Sequence, residues 1–416
     1  MFVRMERSLR AGRLATFAYF ALNGFLMGMW VVHIPAVEHR AGISHAVLGW
    51  LLLLLGGGAF AGMQVIGPLT DRFGARAVVP AGAALCSAAV VLPGLATNAW
   101  TLGTALLVLG LGNGCLDVSM NAHAVQVERG YRRPVMSAFH ASFSIGGVLA
   151  ALAGARTLSW GWSPVVTLGL AAALGLAGTA LVAPALLRPE RADAVKTPAA
   201  VARPRRRTPR RIWVLAALAL MLMLCEGVAN DWSVLDLRDV LDAHAATAAL
   251  AYGAFSTAMT VGRLLADRVA ARFGPVAIVR YGASVAALGL TAAALSPWIP
   301  LALAGWAVFG IGMSGCVPQL FSAAGHTDQN AAGANVSRVA GLGYLGMLAG
   351  PAVIGPLTHF IPLNLTFFLP VAFCVIAACA AGVLRSRPSA AHTDDESGVR
   401  DPRVELSGGT RERRTA

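Results

Sequence analysis

Two acids stand deep inside long apolar runs, where a carboxylate is hardest to keep. Asp117 lies sixteen residues beyond Thr101, near the start of its run, and Glu226 fourteen beyond Ile212. At 1.5 Å per helical residue these depths are roughly 24 and 21 Å, so neither is a surface charge. A charge at the centre of a membrane helix costs roughly 2.5–3.5 kcal/mol on insertion scales. Loss of water favours the neutral acid over its carboxylate, so such a group can load and unload a proton. That chemistry is proton coupling, with Asp117 as carrier and Glu226 as second acid. The competing role for Asp117 is a structural hydrogen bond to a neighbouring helix. For Glu226 it is a pairing with His or Arg across the bundle.

Asn113, Asp117 and Asn121 recur every four residues and drift only about 40° per step on a helix. They make one polar stripe on an otherwise apolar helix, as expected of a wet cavity wall, so Asn113 and Asn121 are candidate solute contacts. Asn230 shares the face of Glu226 and is a further candidate. Asp231 lies about 140° from Glu226 and is expected to brace the outer end of its helix. Trp30, Trp232, Trp306 and Tyr344 could give apolar platforms for a solute, although aromatics also mark bilayer interfaces. Asn23 and Gln64 read as interhelical glue, and Arg263 as structural.

These residues need a scaffold that crosses a bilayer many times. The 416 residues are 56% hydrophobic and 13% charged, against about 25% charged in a soluble chain. Charges gather in short islands between apolar stretches of about 20 residues, each long enough to span about 30 Å of hydrocarbon. The pattern predicts an all-α membrane protein with twelve transmembrane helices near 14–36, 46–67, 77–96, 101–125, 135–155, 164–187, 212–235, 246–266, 275–295, 300–324, 335–358 and 363–384. The basic segment Met1–Arg13 resembles a signal peptide, but the many later spans favour an uncleaved first helix.

With the N-terminus in the cytoplasm, nearly every Lys and Arg falls in a cytoplasmic segment. The exceptions are Arg40, Arg156 and Arg238 in outer loops, and Arg263 and Arg338 at or inside helix ends. This is the positive-inside pattern, and it puts both termini of a multi-pass membrane protein in the cytoplasm. The net charge of +13 therefore faces lipid headgroups rather than nucleic acid. Residues 188–211, with Arg203-Pro204-Arg205-Arg206-Arg207, read as a flexible linker between six-helix bundles at 1–187 and 212–385. Residues 386–416 read as a disordered tail. The six cysteines form no C-x-x-C pair and read as small buried hydrophobes, with no metal or other cofactor implied.

An internal repeat supports the two bundles. Val108-Leu109-Gly110-Leu111-Gly112 matches Val308-Phe309-Gly310-Ile311-Gly312 at an offset of 200. The same offset pairs Arg72-Phe73-Gly74 with Arg272-Phe273-Gly274, and Gly146 with Gly346. Six spans separate each pair, so the halves share an orientation and are related by an axis along the membrane normal. Halves so related can rock about a central site.

The loop after the second span reads Gly67-Pro68-Leu69-Thr70-Asp71-Arg72-Phe73-Gly74-Ala75-Arg76. It resembles the G-x-L-x-D-R-x-G-x-R signature of the major facilitator superfamily. The resemblance covers residues 14–385 and implies alternating access by a monomer. It gives Gly67, Asp71, Arg72, Gly74 and Arg76 a latching role, Asp71 holding the start of span eleven. Arg338 is then the expected partner of Asp71, or else a contact for an anionic solute. The second copy has Ala271 in the place of Asp and Asp267 in the place of the leading Gly, so its latch is weakened or moved to Asp267.

Cys225-Glu226-Gly227-Val228-Ala229-Asn230-Asp231-Trp232 resembles a poorly characterised bacterial branch of that family. Gly114-Cys115-Leu116-Asp117-Val118-Ser119-Met120-Asn121 is similar to the G-C-L-E-x-x-x-N stretch of fucose–proton symporters, whose acid carries the proton. Phe139-His140-Ala141-Ser142-Phe143 resembles the neighbouring segment, with His140 in the place of a sugar-contacting Asn. His140 thus has three readings: proton relay, sugar contact or interhelical partner. In place of the family's second acid in span one stand Trp30-Val31.

No nucleophile elbow or Gly-x-x-x-x-Gly-Lys-Ser/Thr loop occurs, so an enzyme is not expected. The expectation is a proton-coupled secondary transporter of a small polar solute, such as a sugar. The alternatives are an exporter of drugs or metabolites, and a membrane receptor or scaffold that binds without transporting. Against the exporter, no Arg or Lys occurs between residues 77 and 128.

Overall fold

The computed structural model describes residues 2–43, 45–188 and 208–385. Most of the expected linker (189–207) and the whole of the expected tail (386–416) lie outside the described residues. The chain through Leu384 is one compact unit; of the second unit, Arg385–Ala416, only Arg385 is described.

Every element among the described residues is helical. The first six are α1 (Phe2–Ala41), α2 (His45–Phe73), α3 (Ala75–Leu95), α4 (Ala99–Tyr131), α5 (Met136–Ser159) and α6 (Pro164–Val182). The second six are α7 (Arg210–Leu235), α8 (Ala245–Phe273), α9 (Pro275–Ala294), α10 (Ile299–Thr327), α11 (Ala332–Leu357) and α12 (Leu363–Leu384). Among the described residues eleven of these are long and apolar enough to cross a membrane. The twelfth, α8, has 29 residues but is diluted by Thr, Gly, Arg263 and Asp267.

Several helices overrun their expected spans, because a helix need not stop where the hydrocarbon does. Helix α1 starts at Phe2 rather than near residue 14, so the basic N-terminal segment is helical. The Thr97-Asn98 breaker works as a cap: the Asn98 side chain accepts from Thr101 N–H at 3.0 Å and opens α4. Helix α10 bends at Ser314-Gly315, where its α-helical ladder is interrupted.

The 200-residue repeat is present in the packing. Helix pairs α2–α4, α1–α5 and α3–α4 have counterparts in α8–α10, α7–α11 and α9–α10. Gly110 and Gly310 mark why the sequence repeats there. A Cβ at Gly110 would lie 2.0 Å from the Leu55 carbonyl oxygen, and one at Gly310 would lie 2.3 Å from that of Phe255. The helix backbones meet directly, as small residues allow in lipid. Gly110→Val is therefore expected to overpack the α2–α4 seam by more than about 3 kcal/mol. Size-exclusion chromatography should show loss of the monodisperse peak; a normal profile would show the seam is looser than described. Gly74 and Gly274 share a second requirement, each turning the chain at φ 81°, where a side chain is strained.

Two apolar cores result, one drawn almost wholly from residues before 188 and one mainly from residues after 211. The helices that meet between them are chiefly α2 with α11 and α5 with α8, again a symmetry-related pair. Trp30, expected on a solute platform, is 1% exposed inside the first core. Trp306 is likewise fully buried, its indole N–H donating to Asp236 at 3.1 Å. Both are packing residues here, because their rings face helices of their own half.

Candidate functional site

A cluster of the interior's polar side chains lies between the two cores. The α4 stripe is there as expected: Asn113 and Asp117 are 6% exposed and Asn121 fully buried. Helical spacing stacks them, so the Asn121 amide donates to the Asp117 carbonyl at 2.9 Å and to its carboxylate Oδ1 at 3.4 Å. Oδ2 of Asp117 has no partner among the described residues. An ionised carboxylate offers about four acceptor sites, and this one meets a single amide. From α5, His140 Nε2 lies 3.3 Å from the Asn121 amide oxygen, between the rings of Phe20 and Phe321.

The second half supplies the opposite wall. Tyr344 of α11 lies within electrostatic reach of the Asn113 side chain, Asp117 and Glu226. Glu226 of α7 is not stranded: Arg263 of α8 holds its Oε1 at 3.4 Å, the cross-bundle pairing anticipated from the sequence. Arg263 also donates from Nη1 to Ser144 Oγ of α5 at 3.1 Å, bridging the halves. Arg263 is thus no helix-end residue, since α8 continues ten residues beyond it to Phe273. Asn230 is exposed one turn past Glu226, outside these contacts. Asp231 is exposed too, and the brace expected of it belongs to Asp236, which holds Trp306. Asn23, read as glue, is buried with neither amide atom bonded among the described residues.

One end of the assembly, where α2 turns into α3 and α8 into α9, is fastened by carboxylates. Asp71 accepts from Gly333 N–H at 2.7 Å and Ala334 N–H at 2.9 Å, the second and third residues of α11. Asp267 accepts from Ser137 N–H at 3.0 Å and Ala138 N–H at 2.7 Å, the second and third residues of α5. Both carboxylates satisfy unpaired helix N–H donors and meet the positive end of the dipole. The backbone N–H groups, not Arg338, are the direct partners of Asp71. Arg338 donates to Asn335 Oδ1 at 3.3 Å and acts on Asp71 only through its charge.

Gly67 lets α2 touch α11, since a Cβ there would lie 2.5 Å from that of Ser337. Arg72 lies over the Phe73 ring, and Arg76 donates to the Pro184 carbonyl at 3.4 Å. Neither touches the α2–α11 latch.

Glu128 completes this fastening and was not singled out from the sequence. It accepts from Val135 and Met136 N–H at 3.0 and 3.1 Å, so two carboxylates serve the first four donors of α5. It also takes the Ser322 hydroxyl, and His326 of α10 lies 3.8 Å away. Arg129 beside it donates to the Gly325 carbonyl. Ser144 and Tyr344 were also under-read; their 200-residue offset from each other was the available signal.

Two six-helix halves joined along such a seam define a multi-pass membrane carrier. The Major Facilitator Superfamily profile matches residues 14–327 and 232–413. An uncharacterized transporter of Sinorhizobium fredii is 34% identical over 368 residues, which cover 88% of this chain and 97% of that protein. The outward-conformation crystal structure of the transporter FucP is similar at TM-score 0.75 and 16% identity, covering 92% of this chain and all of that one. A human organic anion transporter is similar at TM-score 0.70 and 15% identity, covering 91% and 99%. The chain belongs to the major facilitator superfamily.

Proposed function

We propose that the chain is a secondary active transporter that carries a small polar solute by alternating access, coupled to protons. Asp117 is the proton carrier and Glu226 the second acid; Asn113, Asn121 and His140 line the site, with Asn230 at its rim. Asp71 and Asp267 latch the cytoplasmic end, which makes the state described here the one closed toward the cytoplasm. The protein sits in the bacterial inner membrane as a monomer with both termini inside, the first bundle ending at 187 and the second beginning at 212.

One observation carries the proposal: Asp117 is 6% exposed at the seam between the halves, with one carboxylate oxygen unpartnered among the described residues. Neutralising it lowers the cost of closing the seam, and a solute that favours the closed form then moves with the proton. One structural neighbour is a fucose:proton symporter, which supports a sugar or sugar-like solute. Purified protein in liposomes under an imposed pH gradient tests the proposal. Proton flux that depends on an added solute is expected; flux equal to that of empty liposomes for every solute would favour a receptor or scaffold.

A further inference from the structure

Building on that transport reading, we propose that the solute carries a carboxylate, which seats on one edge of the Arg263 guanidinium and displaces Glu226 from it. The edge is formed by Nε and Nη2. Nε is buried and has no partner among the described residues, while Nη2 reaches Glu226 only at 3.4 Å. Nη1, on the other side, is already taken by Ser144. A planar two-oxygen anion is the acceptor that satisfies Nε and Nη2 together, through two parallel charge-assisted bonds. Arg263 and Glu226 keep 12% and 13% side-chain exposure, so the pair is not sealed, although Nε itself is covered. A neutral hydroxyl could fill only one of the two donors, and with about half the strength of a charged acceptor.

Displacement has a chemical consequence. A released Glu226 carboxylate would face the bound anion with its only cation taken, so it picks up one proton from the open side. No other bond changes: one O–H forms on Glu226 for each anion seated. Arg263 of α8 and Tyr344 of α11 face Glu226; beyond them, His140 of α5 lies within electrostatic reach of Arg263, and Asp117 of α4 within that of Tyr344. The thiols of Cys316 in α10 and Cys374 in α12 lie by the adjacent Cys225. Proton uptake on binding makes anion affinity fall as pH rises, by about tenfold per pH unit for one proton.

Thermal-shift titration of the detergent-purified full chain tests this, with acetate, lactate, D-gluconate and 4-hydroxybenzoate against L-fucose, D-glucose and D-glucosamine. At least one carboxylate should stabilise the protein, with an apparent affinity about tenfold weaker per pH unit. Glu226→Gln should bind that anion at least as tightly, with a pH dependence about tenfold per unit shallower than that of wild type. Arg263→Lys should lose about tenfold or more, because the charge stays but the fork is gone.

Stabilisation by neutral sugars alone overturns the carboxylate and leaves the transport reading standing. Carboxylate binding that survives Arg263→Lys unweakened, or keeps the wild-type pH slope in Glu226→Gln, overturns the seat. A carboxylate that binds as described without solute-dependent proton flux in liposomes overturns the transport reading and keeps the site. No response to any carboxylate overturns the proposal.

Discussion

Asp117→Asn is expected to cut uphill solute accumulation about 100-fold under a two-unit pH gradient while leaving downhill exchange intact. Each pH unit across the membrane is worth about 1.36 kcal/mol per proton, so a two-unit gradient with one coupled proton supports roughly 100-fold accumulation. An Asn cannot release a proton, so the variant should lose the roughly 100-fold that the Asp117 proton supplies. It resembles the protonated acid in shape and charge, so labelled solute should still exchange with unlabelled solute across the bilayer. The two readings of Asp117 separate here. A purely structural hydrogen bond, which Asn can also make, would leave accumulation near its wild-type level.

The largest conformational effect is expected from the two latches. Asp71 and Asp267 each hold two N–H groups at the start of a helix in the opposite half. Replacing either with Asn removes the charge from two hydrogen bonds and from a helix terminus. At about 1–2 kcal/mol lost from the closed state, the balance should shift by a factor of roughly 5–30. The double variant Asp71→Asn, Asp267→Asn should shift it further. Spin labels placed across this end and measured by pulsed electron resonance should show a longer-distance population growing from wild type to single to double variant. Unchanged distances in the double variant would mean that Glu128 with Ser322, or apolar packing, keeps this end shut unaided.

Much of this architecture was legible in the chain. Apolar runs set the helices, and the matches around Gly110 and Gly310 or Gly74 and Gly274 report contacts and turns that recur because the halves fold alike. The α4 stripe was legible for the same reason, since a four-residue period of polar side chains has one helical meaning. Arg263 was hidden because the polar end of α8 makes its charges look terminal, and nothing local reveals that a Glu on α7 and a Ser on α5 converge on it. Glu128 was hidden among the arginines before Pro134, where an acid looks like ordinary loop chemistry. Trp30 misled in the other direction, because ring size does not tell which side of α1 faces the seam. Contacts between halves depend on docking, and no periodicity within one helix encodes them.

The Asp267 fastening differs from the Asp71 fastening in one respect with mechanical weight. Against the repeat, Asp267 stands four residues before the place of Asp71, and its landing point on α5 stands four residues after that on α11. Four residues are about one helical pitch, 5.4 Å, and both displacements point toward the middle of the bilayer. The deeper of the two rivets therefore has the shorter lever arm about a central fulcrum. A given tilt of the halves pulls the shallow Asp71 joint apart farther than the deep one, so the mouth should part like a hinge with one screw undone first.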